Sequence, residues 1–421
     1  MAEKEYLTVA EALARVLEGV RPLSMEKVPL TAALGRVLAS AVRAEESLPP
    51  FANSAMDGYA VRAEDVATAG REQPVALDVA GDIAAGMAPE VVLSAGMAAR
   101  IMTGAPLPEG ADAVIPVEDT SEPWRDPERP LPEQIDIYRS VSPGDYVRYP
   151  GEDIEAGTEV LPARHVLRPQ EIGVLASLGV GHVPVYRRPR VAVLSTGDEL
   201  IAVDEPLQPG KIRNSNGYTQ IAQVEALGAV AVSLGVARDT VADVREKLQS
   251  GLEAEVDLFV SSAGVSVGAY DVVKTVLESD GNVGFWRVRM RPGKPLAFGT
   301  YEGVPYLGLP GNPVSALVSF ERFARPAILK MAGHTAWERP RLPVTLLDAL
   351  DSDGRETYAR AIVSREADGS YVARVTGSQG SHVMTSLVEA NALVIMPEGE
   401  KELPAGSQAE AMMIDWPPSV F

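Results

Sequence analysis

The first predicted element is a short amphipathic helix over residues 8–20. Four apolar residues recur at helical spacing and form one stripe: Val9, Leu13, Val16 and Leu17. Thr8 precedes the stripe and Glu11 follows three positions later, the spacing of a capping box in which each side chain bonds the backbone N–H of the other residue. The helix is therefore expected to begin just after Thr8.

An alternating pattern of strands and helices occupies the middle of the chain. Short apolar runs typical of buried strands alternate with helical stretches, beginning at Arg190 with RVAVLS and ending with the long run PVSALVSFERFARPAILKMAG. Strands that alternate with helices and lack a polar face are typical of a doubly wound, mostly parallel sheet. We therefore expect one α/β domain over residues 188–333.

β-type patterns flank this α/β domain on both sides. From residue 28 to residue 184, short apolar runs are separated by Gly and Pro too often for long helices. Beyond Pro340, runs such as TYARAIVS and NALVIMPEG alternate again. The fold class is therefore multi-domain α/β plus β, with a β-rich region before the sheet domain and a C-terminal barrel or sandwich after it.

Length and charge limit the functions that this fold can serve. The chain has 421 residues, which at about 150 residues per domain predicts nearly three domains. With 58 acidic and 38 basic residues its formal charge is -20, which disfavours nucleic acid and anionic lipid as partners.

No apolar run approaches the ~18 residues of a membrane helix, and the charged start MAEKEYLTVAEA is unlike a secretion signal. A cytoplasmic protein is expected.

The chain contains no cysteine, which excludes disulfides, thiolate nucleophiles and cysteine-ligated metals. Four scattered histidines lack the spacing of a metal site. Any sulfur chemistry must therefore come from a substrate.

Ligands of open α/β sheets bind beyond the carboxyl ends of the strands, so the turns there are the candidate sites. In STGDEL, the adjacent Asp198 and Glu199 can hold a hydrated Mg²⁺, although an ordinary charged turn explains them equally well. SSAGVSVGAYD offers bare backbone N–H groups to an anion, followed by Asp271. Its spacing matches neither the P-loop nor the dinucleotide motif.

Two further turns favour an anion. In GLPGNPVSA, Asn312 suits the N-cap and Pro313 the first helical position, which exposes a helix N-terminus; the alternative is simply a well-capped helix. In RVRMRPGKP, strand alternation predicts three arginines on one face and a lysine in the turn: Arg287, Arg289, Arg291 and Lys294. The alternative there is a solvated strand face.

Outside the sheet domain, two turn-rich segments add polar groups. PPFANSAMDGYAVR contains Asp57, and MTGAPLPEGADAVIPVED contains Thr103, Glu118 and Asp119. Their spacing specifies no reaction, but all these segments together supply carboxylates, hydroxyls, cations and backbone amides. That set of groups can position a phosphorylated ligand and a metal ion.

Seven strings in this order closely resemble the MoeA/gephyrin family of molybdopterin molybdenumtransferases: NSAMDGYAV, GDI-AG, RIMTGAPLPEGADAV, STGDEL, SSAGVSVG, PGKPLAFG and GLPGNPVSA. The resemblance runs from about Leu7 to the C-terminus. It implies four domains: an elongated domain I (1–46 plus 157–187), an inserted β-rich domain II (47–156), a molybdopterin-binding α/β domain III (188–335) and a C-terminal β-barrel domain IV (340–421).

The resemblance implies a reaction in which adenylylated molybdopterin and molybdate are converted, with Mg²⁺, to molybdenum-loaded cofactor and AMP. In this reaction the soft sulfur ligands of molybdenum would come from the pterin dithiolene of the substrate, so the absence of cysteine from the chain agrees with the implied reaction. The chain departs from the family at three positions: Ala52 stands where the family often has Asp, Ala263 where it often has Gly, and Ala269 where it often has an acidic residue. These departures bear on whether the chain prefers molybdate or tungstate.

Site residues are carried over from the family motif by motif. Catalytic roles are implied for Asp57, Thr103, Glu199, Asp239, Asp271, Arg287, Arg291 and Lys294. Cofactor binding is implied for Ser195, Thr196, Gly197, Ser262, Gly264, Ser266, Gly268, Pro310, Gly311, Asn312 and Ser315, and metal binding for Asp198, Glu199 and Asp271. Four further residues are carried over from β-rich regions: Arg148, Arg355, Arg360 and Ser381.

The resemblance also implies a homodimer in which Asp57 and Thr103 reach the sheet domain of the other subunit, and an upstream molybdopterin adenylyltransferase as a possible partner. Two other functions stay open: a non-catalytic scaffold like gephyrin, and a nucleotide pyrophosphatase that uses the same α/β domain.

Overall fold

The computed structural model describes residues 6–122, 130–263 and 272–416. The chain divides into two compact units. Unit 1 comprises Met1–Ala39, Arg164–Arg168 and Val183–Phe421, and unit 2 comprises Ser40–Ala163 and Pro169–His182. The division into four domains is finer than this and stays a prediction.

Among the described residues, seven strands form the main sheet of unit 1. Their order across the sheet is Tyr6–Leu7, Gly281–Val288, Pro295–Tyr301, Val304–Leu309, Leu258–Ser262, Arg190–Thr196 and Val230–Ala237. The last four strands run parallel, whereas Pro295–Tyr301 is antiparallel to both of its neighbours. After Arg190, which is partly exposed, the central strands are buried, because RVAVLST and LFVSS there present apolar or small side chains to both faces.

Helices cover both faces of this sheet, which confirms the doubly wound class. Their bounds are Val9–Glu18, Ser215–Glu225, Val241–Glu253, Val272–Asp280, and a long C-terminal helix made of Pro313–Ser319, a π-helical segment Phe320–Ala324, and Arg325–Met331. One face packs against the first, second and long helices, and the other against the two remaining helices. Thr8 and Glu11 form the predicted capping box.

A closed five-stranded β-barrel follows in unit 1, as expected. Its strands are Arg341–Leu346, Glu356–Arg365, Tyr371–Val375, Ala392–Met396 and Gln408–Met413, and pairing of Glu356–Arg365 with Ala392–Met396 closes it. Its interior is filled by small and branched apolar side chains such as Val344, Ala361 and Val394. The remaining elements of unit 1 are Met25–Pro29, Leu30–Ala32, His182–Tyr186, Leu200–Ile201, Ile212–Arg213, Met290–Arg291, Leu350–Asp351, Thr385–Glu389 and Glu402–Leu403.

Unit 2 is built on a five-stranded sheet with the order Ala113–Pro116, Gly58–Val61, Met97–Ile101, Val75–Ile83 and Gln134–Ile137. Short segments complete it: Val42–Arg43, Asn53–Ser54, Ala63–Val66, Val117–Asp119, Val147–Arg148, Glu159–Leu161 and the helix Pro169–Ser177. The short strands agree with the frequent turn residues of this region. Over the described part of the chain, none of the helices has the length and apolar character needed to cross a membrane.

Close packing of the central strands of unit 2 gives a stability prediction at Gly58. A Cβ added there would overlap the backbone carbonyl oxygen of Ile115 on the neighbouring strand. Gly58→Ala should therefore lower the free energy of unfolding of unit 2 by about 3 kcal/mol. Gly70→Ala is the matched control, since a Cβ there meets no atom within 4 Å. Thermal unfolding would contradict this packing argument if the two variants melted at the same temperature.

Candidate functional site

A cleft of about 940 Å³ lies in unit 1, at the carboxyl ends of the parallel strands and against the barrel. Its wall is formed by residues 196, 199–200, 212–216, 262–263, 291–295, 310–313, 315, 355 and 379–382. Eleven of the residues proposed from the sequence line it: Thr196, Glu199, Ser262, Arg291, Lys294, Pro310, Gly311, Asn312, Ser315, Arg355 and Ser381. The fold thus brings together turns that are more than one hundred positions apart, because parallel strands end at the same edge of a sheet.

Buried hydroxyls fix the floor of the cleft. Ser195 and Ser262 are opposite each other on adjacent strands, and the hydroxyl of Ser262 donates to Oγ of Ser195 over 3.3 Å. The Ser195 hydroxyl in turn donates to Oδ1 of Asn214 over 2.9 Å, and the same oxygen accepts from the backbone N–H of Gly217 over 3.0 Å. Ser195 therefore lies beneath the cleft and supports its wall.

The turn before the long helix forms one side of the cleft. Asn312 occupies the N-cap position, but its side chain makes no hydrogen bond to the first turn, unlike an ordinary capping asparagine. Gly311 is held by a hydrogen bond from Nδ2 of Asn216 to its carbonyl oxygen over 2.7 Å. The backbone carbonyl of Ser381, in a loop of the barrel, accepts from the backbone N–H of Val314 over 3.1 Å. The helix start and the barrel loop are thus joined at the cleft.

The expected row of three arginines on one strand face is wrong. The strand ends at Val288, and Arg291 belongs to a separate two-residue strand that pairs with the barrel. Arg289 forms an ion pair with Glu398 at 2.6 Å, and Arg287 donates to the hydroxyl of Tyr6 over 3.0 Å. A face predicted by alternation requires one continuous strand, and the chain turns instead.

Two cations of this segment nevertheless reach the cleft. Lys294 is exposed in its wall, and Arg291 donates to the backbone carbonyl of Asp351 over 3.3 Å. Arg355 lines the same wall and forms a bidentate pair with Asp353, which lowers the pKa of Asp353 to about 2. Because its partner stays ionised, Arg355 is partly neutralised, whereas Lys294 is the more available cation.

The acidic turn has its own geometry. Asp198 and Asp239 each accept the backbone N–H of the other through a carboxylate oxygen, both at 3.2 Å. The carboxylate of Glu199 folds over Gly197, where a Cβ would stand, and Gly197 has a φ of 143° that favours glycine. Of these four residues only Glu199 lines the cleft.

A metal at this turn has few protein ligands. Within the described residues, no group of three or more carboxylates or histidines is arranged to hold a metal ion. Mg²⁺ is commonly bound by one or two carboxylates, with waters and substrate phosphate oxygens as the other ligands. The exposed carboxylates of Asp198 and Glu199 fit that mode of binding.

Unit 2 carries its own polar pair. Oδ1 of Asp57 accepts from the backbone N–H of Thr103 over 2.7 Å and from its hydroxyl over 2.8 Å. Both residues are exposed, so the second carboxylate oxygen of Asp57 faces solvent or a ligand. Arg148 is exposed on a short strand that pairs with Asn53.

Four proposed residues lie outside the described part of the chain: Gly264, Ser266, Gly268 and Asp271. Others line the cleft without having been singled out, among them Arg213, Gly293, Gln379 and His382. The QGSH string of the barrel gave no chemical signal by itself, because a lone histidine is usually structural. The backbone hydrogen bond from Val314 to the carbonyl of Ser381 joins this loop to the start of the long helix, at the cleft.

Arg360, carried over from a β-rich region, is 1% exposed. It donates to the hydroxyl of Ser386 and to the carbonyls of Ser378 and Gly380, and burial, with the nearby charge of Arg291, lowers its pKa to about 10. Arg360 therefore fixes the barrel loop that carries Gln379 and Ser381 into the cleft.

Three family models match successive parts of the chain. Residues 7–179 match the MoeA N-terminal region (domain I and II), residues 192–330 a probable molybdopterin binding domain, and residues 343–414 the MoeA C-terminal region (domain IV). Together they span most of the sequence.

Curated relatives and solved structures agree with these matches. A molybdopterin molybdenumtransferase from Nostoc sp. is 42% identical over 396 residues, covering 92% of this chain and 88% of its own. Molybdopterin molybdenumtransferase 2 from Mycobacterium tuberculosis is also 42% identical, over 94% of this chain and 96% of its own. The crystal structure of a molybdopterin biosynthesis MoeA protein from Pyrococcus horikoshii OT3 superimposes with a TM-score of 0.79 at 30% identity, covering 97% of this chain and 100% of the other.

Proposed function

Since this chain belongs to the MoeA family, we propose that it takes adenylylated molybdopterin and molybdate as substrates, requires Mg²⁺ and releases AMP. The relatives show the general activity: the chain is a transferase of molybdenum cofactor biosynthesis, a molybdopterin molybdenumtransferase. A cytoplasmic location and an upstream adenylyltransferase that supplies the substrate are part of the proposal.

The observation that carries the proposal is the composition of the cleft. One wall offers the cation Lys294, a second offers the backbone and side chain of Asn312, and a third offers the carboxylate of Glu199. Cations and N–H donors suit phosphate and molybdate oxygens, and a carboxylate suits a metal. A volume of about 940 Å³ is large enough for a pterin joined to a nucleotide.

In this mechanism, Lys294 and Arg291 hold the oxyanion and stabilise the negative charge that develops on the phosphate oxygens as the pyrophosphate link breaks. Asn312 and the Gly311 backbone orient the pterin phosphate. Asp198, Glu199 and Asp271 are proposed to hold Mg²⁺, which when bound would withdraw charge from the pyrophosphate. The dithiolene of the substrate supplies the sulfur ligands for molybdenum, since the chain has no cysteine.

We also propose a homodimer in which unit 2 of one subunit completes the cleft of the other. The pair of Asp57 and Thr103 supports this, because it is exposed and its free carboxylate oxygen has a fixed direction. A site shared between two subunits would explain why the proposed site residues come from segments that are far apart in the sequence.

A reconstituted assay tests the proposed function. Purified protein is mixed with Mg²⁺, molybdate and adenylylated molybdopterin; AMP is measured by chromatography, and loaded cofactor by activation of a cofactor-free molybdoenzyme. We expect AMP and loaded cofactor to appear in equal amounts, and both to require molybdate. Hydrolysis of ADP-ribose at a similar rate would favour the pyrophosphatase, and binding of a stable protein partner without any AMP release would favour the scaffold.

A further inference from the structure

The N-terminal strand places an aromatic side chain at the edge of the main sheet. Tyr6–Leu7 runs parallel to Gly281–Val288 with Tyr6 opposite Arg287, and the carbonyl of Leu7 accepts from the backbone N–H of Arg289 over 2.8 Å. Leu7 is buried at 2% exposure and anchors the strand, whereas Tyr6 is 43% exposed. The ring of Tyr6 is therefore free to contact groups at the surface of the sheet edge.

Two cations share this ring. Arg287 donates from Nη1 to the Tyr6 hydroxyl over 3.0 Å, and its Cζ lies 5.6 Å from the ring centroid. Nζ of Lys294 also lies 5.6 Å from the same centroid. A backbone hydrogen bond from Val288 to the carbonyl of Lys294, at 2.8 Å, holds the two segments side by side. Tyr6 thus bridges a cation outside the cleft to one in its wall.

Like charges at one ring need a compensating group. The π face of a tyrosine attracts cations, and the hydroxyl oxygen accepts from Arg287, so Tyr6 offsets part of their repulsion. The hydrogen bond from Arg287, with the positive charges of Arg287 and Lys294, lowers the pKa of Tyr6. Without the ring, the flexible four-carbon stem of Lys294 would lose this contact and would sample more conformers.

We propose that Tyr6 is a positioning residue that holds the Lys294 ammonium at the wall of the cleft for binding of an oxyanion. The strand Tyr6–Leu7 is then part of the binding site, although it lies nearly 290 positions before the lysine. This inference rests on the proposed function, because it assigns Lys294 to the anionic substrate. Molybdate and the substrate phosphate are the two anions that Lys294 can meet.

Calorimetric titration of molybdate alone and of inorganic phosphate alone tests the inference and separates the two sources. Tyr6→Leu removes both the ring and the hydroxyl. It should lower the affinity for the anion that Lys294 holds by about two- to fivefold, the range expected for an exposed cation–π contact. Tyr6→Phe keeps the ring and should lower the affinity for the anion by a smaller factor. Tyr218→Leu is the matched control, since Tyr218 is 55% exposed and lies outside the cleft wall, and it should change neither affinity.

Two more measurements exclude a purely structural role. In turnover, Tyr6→Leu should raise KM for the anion and lower kcat by no more than about two- to fivefold, far less than Lys294→Met, with a melting temperature close to that of Tyr218→Leu. In protein labelled with ¹³C at the tyrosine ζ carbon, the Tyr6 signal, assigned by its absence in Tyr6→Phe, should shift saturably as the anion binds. Lys294→Met should abolish that shift.

The outcomes separate this inference from the proposed function. If the wild-type protein releases no AMP but binds an anion with an affinity that depends on Tyr6, the proposed function fails and the positioning role stands. If turnover is normal and Tyr6→Leu leaves KM and both affinities unchanged, the positioning role is wrong. It is also wrong if neither anion binds the wild-type protein.

Discussion

Replacing Lys294 by methionine should reduce molybdenum transfer about a hundredfold or more, the usual cost of removing one preorganised group that stabilises developing charge. Methionine keeps the length and most of the volume of the side chain but removes its charge. Lys294 is exposed in the cleft wall, and among the described residues no carboxylate forms an ion pair with it, whereas Arg355 is paired with Asp353. AMP release and loaded cofactor should both fall, while the melting temperature stays unchanged.

Lys247→Met is the matched control for this variant. Lys247 lies on the helix Val241–Glu253 of the same unit and does not line the cleft, so its loss should leave the transfer rate within twofold of the wild type, as for an ordinary surface change. Lys294→Arg should retain part of the activity, since it keeps the charge. Full activity in Lys294→Met would remove this lysine from the site.

The second large effect is expected at Asp57 in unit 2. Asp57→Ala leaves the backbone N–H and hydroxyl of Thr103 without their acceptor and removes the carboxylate. We expect AMP release to fall about a hundredfold, because the substitution removes a group proposed to contact metal or substrate. Asp153→Ala, which changes another exposed acid of unit 2, should have little effect.

Mixing two inactive proteins tests how the subunits share the site. If unit 2 of one subunit completes the cleft of the other, a heterodimer of Asp57→Ala and Lys294→Met subunits contains one fully intact site. Random exchange makes half of the dimers heterodimers, each with one of two sites intact, so about a quarter of wild-type activity should return. An inactive mixture, despite proven subunit exchange, would place both residues in the same subunit's site.

The local features of the fold were predicted well from sequence. The capping box at Thr8, the buried strand Arg190–Thr196 and the helix that follows depend on neighbouring residues, and the structure has them. The barrel was also expected, but the sequence pattern did not predict its strand Gln408–Met413. That strand pairs with Ala392–Met396, which is near in sequence, and with Arg341–Leu346, almost seventy positions earlier. Local patterns carry no information on the second pairing.

Errors in the site have the same origin. Alternation placed Arg289 beside Arg291, but the chain leaves the sheet after Val288 and starts a new strand on the barrel. The partner of Arg289 is Glu398, more than one hundred positions later. The long helix also contains a π-helical segment at Phe320–Ala324, which the continuous apolar pattern did not indicate. The roles of the site residues stay predictions until they are tested by substitution.

The most direct measurement is anomalous X-ray diffraction at the molybdenum edge, from crystals soaked with molybdate and Mg²⁺. We expect one strong molybdenum peak within the unit 1 cleft, in contact with the side chain of Lys294, and its disappearance in crystals of Lys294→Met. A molybdenum peak elsewhere on the protein, with only water in the cleft beside Lys294, would contradict the proposal that this cleft holds the oxyanion.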